Sequence, residues 1–361
     1  MLVPVDVDIR RITYDTTSAA IIERIATKEA VHPLQSLDDL RARLGPDRRV
    51  FAAFHPLLPD EPLVFVHVAL RSFIPSCMDD VLLETTTSND DDDDDDDDDN
   101  VGGDSNNSHH RRRHQHPTNV GRAPTVAAFY SISSTQPGLR GVDLGQILIK
   151  QAVLHLQREF ESIDTFVTLS PLPRFRKWLQ SKLSHQQGTF RDDDLFSPHT
   201  MSQLQEALEC NTDEQVLSTL SEMLQDPSKF LSTTSPVDGT TKDDISTTAS
   251  STTTTIDSIL LSLAARYLVS EKQRRKPLDL VARFHLHNGA QLYRLQTKAD
   301  QSRKGIHNSL GIMANYRYNL SDLHLNQIRY EQSDTIDVHP NVLDLLDGNT
   351  PKQNESTEES D

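Results

Sequence analysis

Residues 125–170 constrain the fold more than any other part of the chain. TVAAFYSIS (125–133) is a run of small, β-branched and aromatic residues and reads as a buried strand. QPGLRGVDLG (136–145) follows. Leu144, Leu148, Ala152, Leu156 and Phe160 then recur at helical spacing, and Ile147 and Val153 widen the stripe. This period predicts one helix over 142–160, broad enough on its apolar side to lie on a sheet. DTFVTLS (164–170) reads as another strand. Strand, glycine-rich loop, helix and strand in that order make an α/β layer arrangement.

The flanking segments extend the pattern. RVFAAFH (49–55) and PLVFVHVAL (62–70) are strand-like, and the acidic turn LPDEP between them suits a hairpin. Residues 1–45 read as helical, with Ile21, Ile22, Ile25 and Ala26 on one face and Leu37, Leu40 and Leu44 on another, and with Gly45 as a stop. PLPRFRKWLQSKL opens with prolines, which favour a helix start. Residues 190–230 read as helical hairpins, and SILLSLAARYLVSEK as an amphipathic helix. Residues 84–120 and 232–255 read as disordered inserts, and 331–361 as an acidic disordered tail, because such compositions bury too little apolar area to offset ordering.

The net charge of −18 is misleading, because ten consecutive aspartates, Asp90 to Asp99, supply most of it. The remainder is −8, an ordinary value for a water-exposed surface. No basic face with interleaved aromatics points to nucleic acid. No apolar run approaches the length of a membrane span. The two cysteines, Cys77 and Cys210, lack CxxC spacing, and a reducing intracellular compartment is the expectation. The N-terminus carries no secretory or convincing transit signal, and the final ESD is not a peroxisomal address. His109, His110, His114 and His116 lie in a tract without fixed geometry, so no metal site is expected.

Several residues carry chemistry. Glycines 138, 141 and 145 place backbone where something approaches closely, and Arg140 offers a fork suited to phosphate beside the N–H groups of a helix start. A plain glycine-rich turn explains the same spacing. Ser170 ends a strand before Pro171-Leu172-Pro173; without a GxSxG elbow it is not a hydrolase nucleophile, and a cap or turn role suits it equally. In VARFHLHNGAQLYRL, a strand would put His285 and His287 on one face. Asn288, Tyr316, Arg317 and Tyr318 are polar groups in apolar sequence; each must find a partner or do chemistry.

These segments together resemble the malonyl-CoA decarboxylase family. The resemblance runs through EAVHPLQSLDDLRARLGPDRRV, EPLVFVHVAL, FYSISSTQPGLRGVDLGQILIK, LQREF, FVTLSPLPRFRKWL, FHLHNGAQLYRL and GIMANYRY, all collinear and covering most of the chain outside the two inserts. It implies an α/β fold with a mixed, GNAT acyltransferase-like sheet flanked by helices over residues 46–330, preceded by the end of a helical N-terminal domain at 1–45. It implies that Arg140, Gly141, Val142, Asp143, Leu144, Gly145 and Gln146 form the coenzyme A turn. Ser170 matches the family's active-site serine and His285 its proton donor, with Asn288, Tyr316, Arg317 and Tyr318 as supporting groups.

The implied reaction turns malonyl-CoA into acetyl-CoA and CO2 in fatty-acid metabolism. The thioester is its own electron sink, so neither cofactor nor metal is expected. An imidazole near its ordinary pKa of about 6.5 suits proton donation at neutral pH. The family further implies a homo-oligomer, weakened if the N-terminal helices are missing, in the cytoplasm, mitochondrial matrix or peroxisome. A family Trp-Met pair is replaced by Thr297 and Lys298; if that pair is buried in the family, looser packing is expected there. The competing readings are an acyl-CoA-dependent acyltransferase on the same fold and an inactive CoA-binding protein.

Overall fold

The computed structural model describes residues 7–82, 123–136, 138, 144–185, 195–229 and 246–346. An eight-stranded mixed sheet organises them. Its strands are β1 (Asp8–Ile12), β2 (Arg48–Phe54), β3 (Val64–Arg71), β4 (Val126–Ser134), β5 (Thr165–Thr168), β6 (Ser170–Pro171), β9 (Gln291–Gln296) and β10 (Met313–Arg317). A separate hairpin, β7 (Lys272–Gln273) and β8 (Lys276–Pro277), lies outside it. The order runs β1-β2-β3-β4-β5-β10-β6, with β9 on β10. β4 and β5 pair in parallel, from Val126 opposite Thr165 to Phe129 opposite Thr168; the neighbouring pairs are antiparallel. A parallel pair needs a crossover, and the helix predicted over 142–160 supplies it.

Helices α1 (Ala19–Lys28), α2 (Leu37–Arg43) and α3 (Asp79–Leu82) precede β4 in sequence. The crossover helix is α4 (Leu144–Glu159). After it come α5 (Phe175–His185), α6 (Pro198–Ala207), α7 (Asp213–Gln225), α8 (Ser246–Val269), α9 (Leu280–His287), α10 (Arg303–Ser309), α11 (Leu323–Ser333) and α12 (Pro340–Leu346). On α4, Leu144, Leu148, Ile149, Ala152, Val153 and Leu156 are buried, the larger of them each contributing about 1.5–3 kcal/mol relative to exposure. They join Phe51, Val66, Val68 and Phe129 in one apolar core, which continues through Phe175, Trp178 and Tyr267 to the helical segment. A second core on α1 and α2 covers Val50, Ala52, Phe54 and Phe65.

Among the described residues, the strands and helices read from 49 to 70, 125 to 170 and 190 to 230 stand where expected. Three expectations are corrected. Residues 8–12 are an edge strand paired with β2, not helix. Residues 246–255 open the long helix α8 instead of lying in a disordered insert. The supposed tail is built in as far as residue 346: Val338 bridges Leu292, and Val342 and Leu345 of α12 are buried. Thr297 and Lys298 are half-buried. They sit in the turn after β9, where the Lys298 Nζ meets Asp257 at 2.7 Å. The aspartate run, the histidine tract and residues 347–361 lie outside the described residues.

One buried polar cluster ties the N-terminal segment to the sheet. The Glu29 carboxylate accepts from the backbone N–H groups of Val31 and His32 and from the Ser131 hydroxyl, at 2.7–2.9 Å. His67 Nε2 stands 3.3 Å from it. Burial alone would raise the Glu29 pKa, but the surrounding donors outweigh it and hold the carboxyl near about 2. Burial dominates for His67 and lowers its pKa.

Candidate active site

Ser170 and His285 are 115 positions apart in sequence and meet in the interior: Ser170 Oγ lies 3.1 Å from His285 Nε2. β5 and β6 deliver the serine. Ala314 of β10 pairs with Ser170, and Ser170 donates to Thr168 Oγ1 at 2.9 Å. Thr168 Oγ1 also accepts from the Tyr316 N–H at 3.2 Å, so this hydroxyl ties the serine to β10.

The histidine arrives on a helix, which corrects the strand expectation. Asp279 caps α9, accepting from the N–H groups of Val281 and Ala282 at 2.9 Å, and Tyr267 donates to its other oxygen at 3.0 Å. Asn288 ends the helix, and Gly289 follows at φ +83°. Residues two apart on a helix point to different sides, so His287 packs edge-on against Tyr330 at 5.7 Å instead of sharing a face with His285.

Around the imidazole the walls are aromatic. Tyr316 stacks on it with centroids 4.6 Å apart, and Tyr318 donates or accepts at Nδ1, 2.8 Å away. Side chains alternate along β10, so Tyr316 and Tyr318 face His285 while Arg317 turns away, its guanidinium 5.6 Å above the Tyr293 ring. Arg317 is thus not brought to the pair. Asn288 is buried at the edge of this group; its Nδ2 has no well-formed hydrogen bond, though it lies near enough to Tyr318 to favour the phenolate.

Electrostatics overturn the expectation of an ordinary imidazole. His285 is 3% exposed and burial lowers its pKa to about 3. It is therefore neutral at neutral pH, with one ring nitrogen donating and the other accepting. Burial raises the pKa values of Tyr316 and Tyr318, which stay phenols.

A cavity of about 260 Å³ lies against this group. Its inner end is formed by Asn288 and Tyr318, its sides by Ile149, Val153 and Leu323. Of the expected coenzyme A turn, Leu144, Gly145 and Gln146 form the first turn of α4, and Gln146 lines the cavity. Gly145 packs against Phe284, the residue before His285. Arg140, Gly141, Val142 and Asp143 lie outside the described residues. Sequence reasoning missed Thr168, Asp279 and Tyr267. Asp279 carried a signal, since an aspartate opening LVARFHLHNG is a cap with a glycine stop beyond the next turns. Among the described residues no group of three or more His, Cys, Asp or Glu side chains could hold a metal ion. Nor is any described helix long and apolar enough to cross a membrane.

Known proteins resemble this chain over most of its length. The family model described as malonyl-CoA decarboxylase C-terminal domain matches residues 7–99 and 109–356. The mitochondrial malonyl-CoA decarboxylase of Anser anser anser is 32% identical over 339 residues, 94% of this chain and 57% of its own length. That of Mus musculus is 34% identical over 345 residues, 94% of this chain and 59% of its own. The chain thus spans less than two thirds of the length of these relatives. The crystal structure of malonyl-CoA decarboxylase from Agrobacterium vitis superposes with a TM-score of 0.66 at 35% identity, covering 94% of this chain and 67% of that one. The Rhodopseudomonas palustris structure gives 0.64 at 33%, covering 93% and 65%. The chain belongs to the malonyl-CoA decarboxylase family, whose C-terminal domain it carries.

Proposed function

We propose that this chain converts malonyl-CoA to acetyl-CoA and CO2, with Ser170 and His285 as the catalytic pair. The observation that carries the reading is the 3.1 Å contact between Ser170 Oγ and His285 Nε2, made in a buried, aromatic setting by residues remote in sequence.

Loss of CO2 leaves an electron pair on the α carbon, conjugated with the thioester oxygen. The thioester accepts that charge itself, so the reaction needs no organic cofactor or metal. The protein must hold the carboxylate out of the thioester plane, donate toward the developing enolate and deliver one proton to carbon. Ser170 suits the second of these roles, because its hydroxyl can turn from Thr168 toward a substrate oxygen. A correctly aimed donor of this kind is worth roughly 3 kcal/mol of barrier, on the order of a hundredfold in rate. His285 suits the third. Because burial keeps it neutral, it gives the Nε2 proton as an imidazole, not as an imidazolium. The helix start at Leu144, with the Arg140–Gln146 segment before and on it, is where the coenzyme pyrophosphate would sit. The mitochondrial relatives support a mitochondrial location, which fractionation of expressing cells would test by finding the protein elsewhere.

Incubating the purified protein with malonyl-CoA tests the proposal. Release of acetyl-CoA and CO2 is expected. Binding without turnover, or transfer of the acyl group to an added amine in place of CO2 release, would contradict it.

A further inference from the structure

The decarboxylation proposed above consumes one proton per turnover, and the geometry around His285 bears on how that proton is delivered. Malonyl-CoA would approach the pair from the Ser170 and Nε2 side. On the opposite side, Nδ1 faces the Tyr318 hydroxyl at 2.8 Å. Tyr318 and Asn288 form the inner end of the cavity of about 260 Å³, whose outer rim is made by the exposed residues Lys150, Leu154, Gln157 and Leu320. The cavity therefore reaches from exposed residues to Tyr318, the partner of Nδ1. We propose that it is a water-filled proton-entry chamber, and that Tyr318 relays protons from it through His285 to the substrate carbon.

The donor sequence is continuous in one direction. Tyr318 O–H donates to Nδ1, Nε2–H donates to Ser170 Oγ, and Ser170 O–H donates to Thr168 Oγ1, over 2.8, 3.1 and 2.9 Å. A neutral imidazole that gave up its only ring proton would become an imidazolate, a strong base in an apolar setting. A second donor at Nδ1 removes that penalty, and Tyr318 occupies that place. The step balances as follows. The bond between the α carbon and the carboxylate breaks, CO2 leaves, and the electron pair stays on the enolate. The α carbon takes the Nε2 proton, Nδ1 takes the Tyr318 proton, and the phenol oxygen takes one from chamber water. The hydroxide left behind is neutralised by solvent acid. The ring is left as the other tautomer; once acetyl-CoA has gone, water entering the vacated substrate side protonates Nε2 while Nδ1 returns its proton through Tyr318 to the chamber, which restores the resting ring. Asn288 contributes orientation: its buried Nδ2, without a well-formed partner among the described residues, is free to hold either the phenol oxygen or a chamber water.

Tyr318 acts through His285, so the test needs a readout that a purely structural role would not move. With malonyl-CoA as substrate, kcat of Tyr318→Phe should fall about tenfold or more, with KM within about twofold. Its rate in mixed H2O and D2O should depend linearly on deuterium fraction, where that of the parent protein is bowed by more than one proton in flight. A Tyr318→Phe protein with parental kcat, or with lowered kcat and a still bowed profile, overturns the relay. A raised KM at unchanged kcat assigns the cavity to the substrate and overturns it too. The resting protein supplies a check independent of turnover and of any variant. ¹⁵N spectra of histidine-labelled parent should show His285 neutral with its hydrogen on Nε2; hydrogen on Nδ1 contradicts the proposed direction. A parent protein that leaves malonyl-CoA unchanged defeats the functional reading itself, while the ¹⁵N result still decides the direction of the relay.

Discussion

Gly145 of α4 lies against the ring of Phe284: a Cβ at that position would stand 3.0 Å from the ring edge. Phe284 immediately precedes His285, and the two rings meet edge-on at 5.0 Å. The glycine in the expected coenzyme turn thus also sets how closely α9 approaches α4. Gly145→Ala must displace Phe284 by a few tenths of an ångström and rotate the imidazole with it. Small misplacements of a catalytic group are costly, so kcat for malonyl-CoA should drop by about tenfold. Circular dichroism should show the fold retained; an unchanged kcat would remove this coupling.

Asp279 holds the other end of α9 through two backbone hydrogen bonds and one from Tyr267. Asp279→Ala should cost about 1–2 kcal/mol in denaturant unfolding. Tyr267→Phe removes only the phenol donor and should cost less, about 1 kcal/mol. Equal losses in the two variants would show that the cap itself contributes nothing.

The neutral, buried His285 makes a pH signature. Its folded pKa, about 3, is below that of an unfolded histidine, about 6.5. Between those values the unfolded chain binds a proton that the folded chain refuses, so stability falls as pH falls. Above about 6.5 the contribution is fully present. Relative to a His285→Gln variant, the parent should lose stability from pH 6.5 toward pH 4, by up to about 1.4 kcal/mol per pH unit. Parallel melting curves for parent and variant over this range would show that the imidazole is not held neutral.

Glu29 predicts an acid-side dependence of the same sign from a different cause. Its folded pKa, near about 2, is below the usual carboxylate value, so its stabilisation is present above about pH 4.5 and lost as pH falls toward 2. At pH 7, Glu29→Gln should destabilise the protein by about 2–4 kcal/mol, because Ser131 and two backbone N–H groups lose a charged acceptor. The difference should shrink below pH 4.5, and a pH-independent difference would refute the ionised state.

Much of the sheet was legible because its strands declare themselves locally. The β3 run PLVFVHVAL and the β4 run TVAAFYSIS are dense in strand-forming residues, and the α4 stripe repeats without interruption. The elements misread are those whose pattern is too short to carry a period. FHLH fits strand and helix equally; only the Asp279 cap and the Asn288-Gly289 stop decide it. β1 is a five-residue edge with two arginines, and it becomes a strand because β2 offers it a ladder. Residues 340–346 looked like part of an acidic tail, yet Val342 and Leu345 find a place beside α8 and β9. In the site, Ser170, His285, Tyr316, Tyr318 and Asn288 converge as the family resemblance implied. What no sequence pattern conveys is the state of the imidazole, since burial is a property of the assembled core.

The most direct measurement compares malonyl-CoA turnover by the parent protein and by His285→Ala and Ser170→Ala, alone and combined, following acetyl-CoA formation in D2O. The account predicts acetyl-CoA carrying one deuterium at its methyl group from the parent. It predicts a loss of about a hundredfold or more in kcat for His285→Ala, and little further loss when Ser170→Ala is added, because the two side chains act as one unit. Parental turnover by the His285→Ala protein, or losses that simply multiply in the double variant, would contradict it.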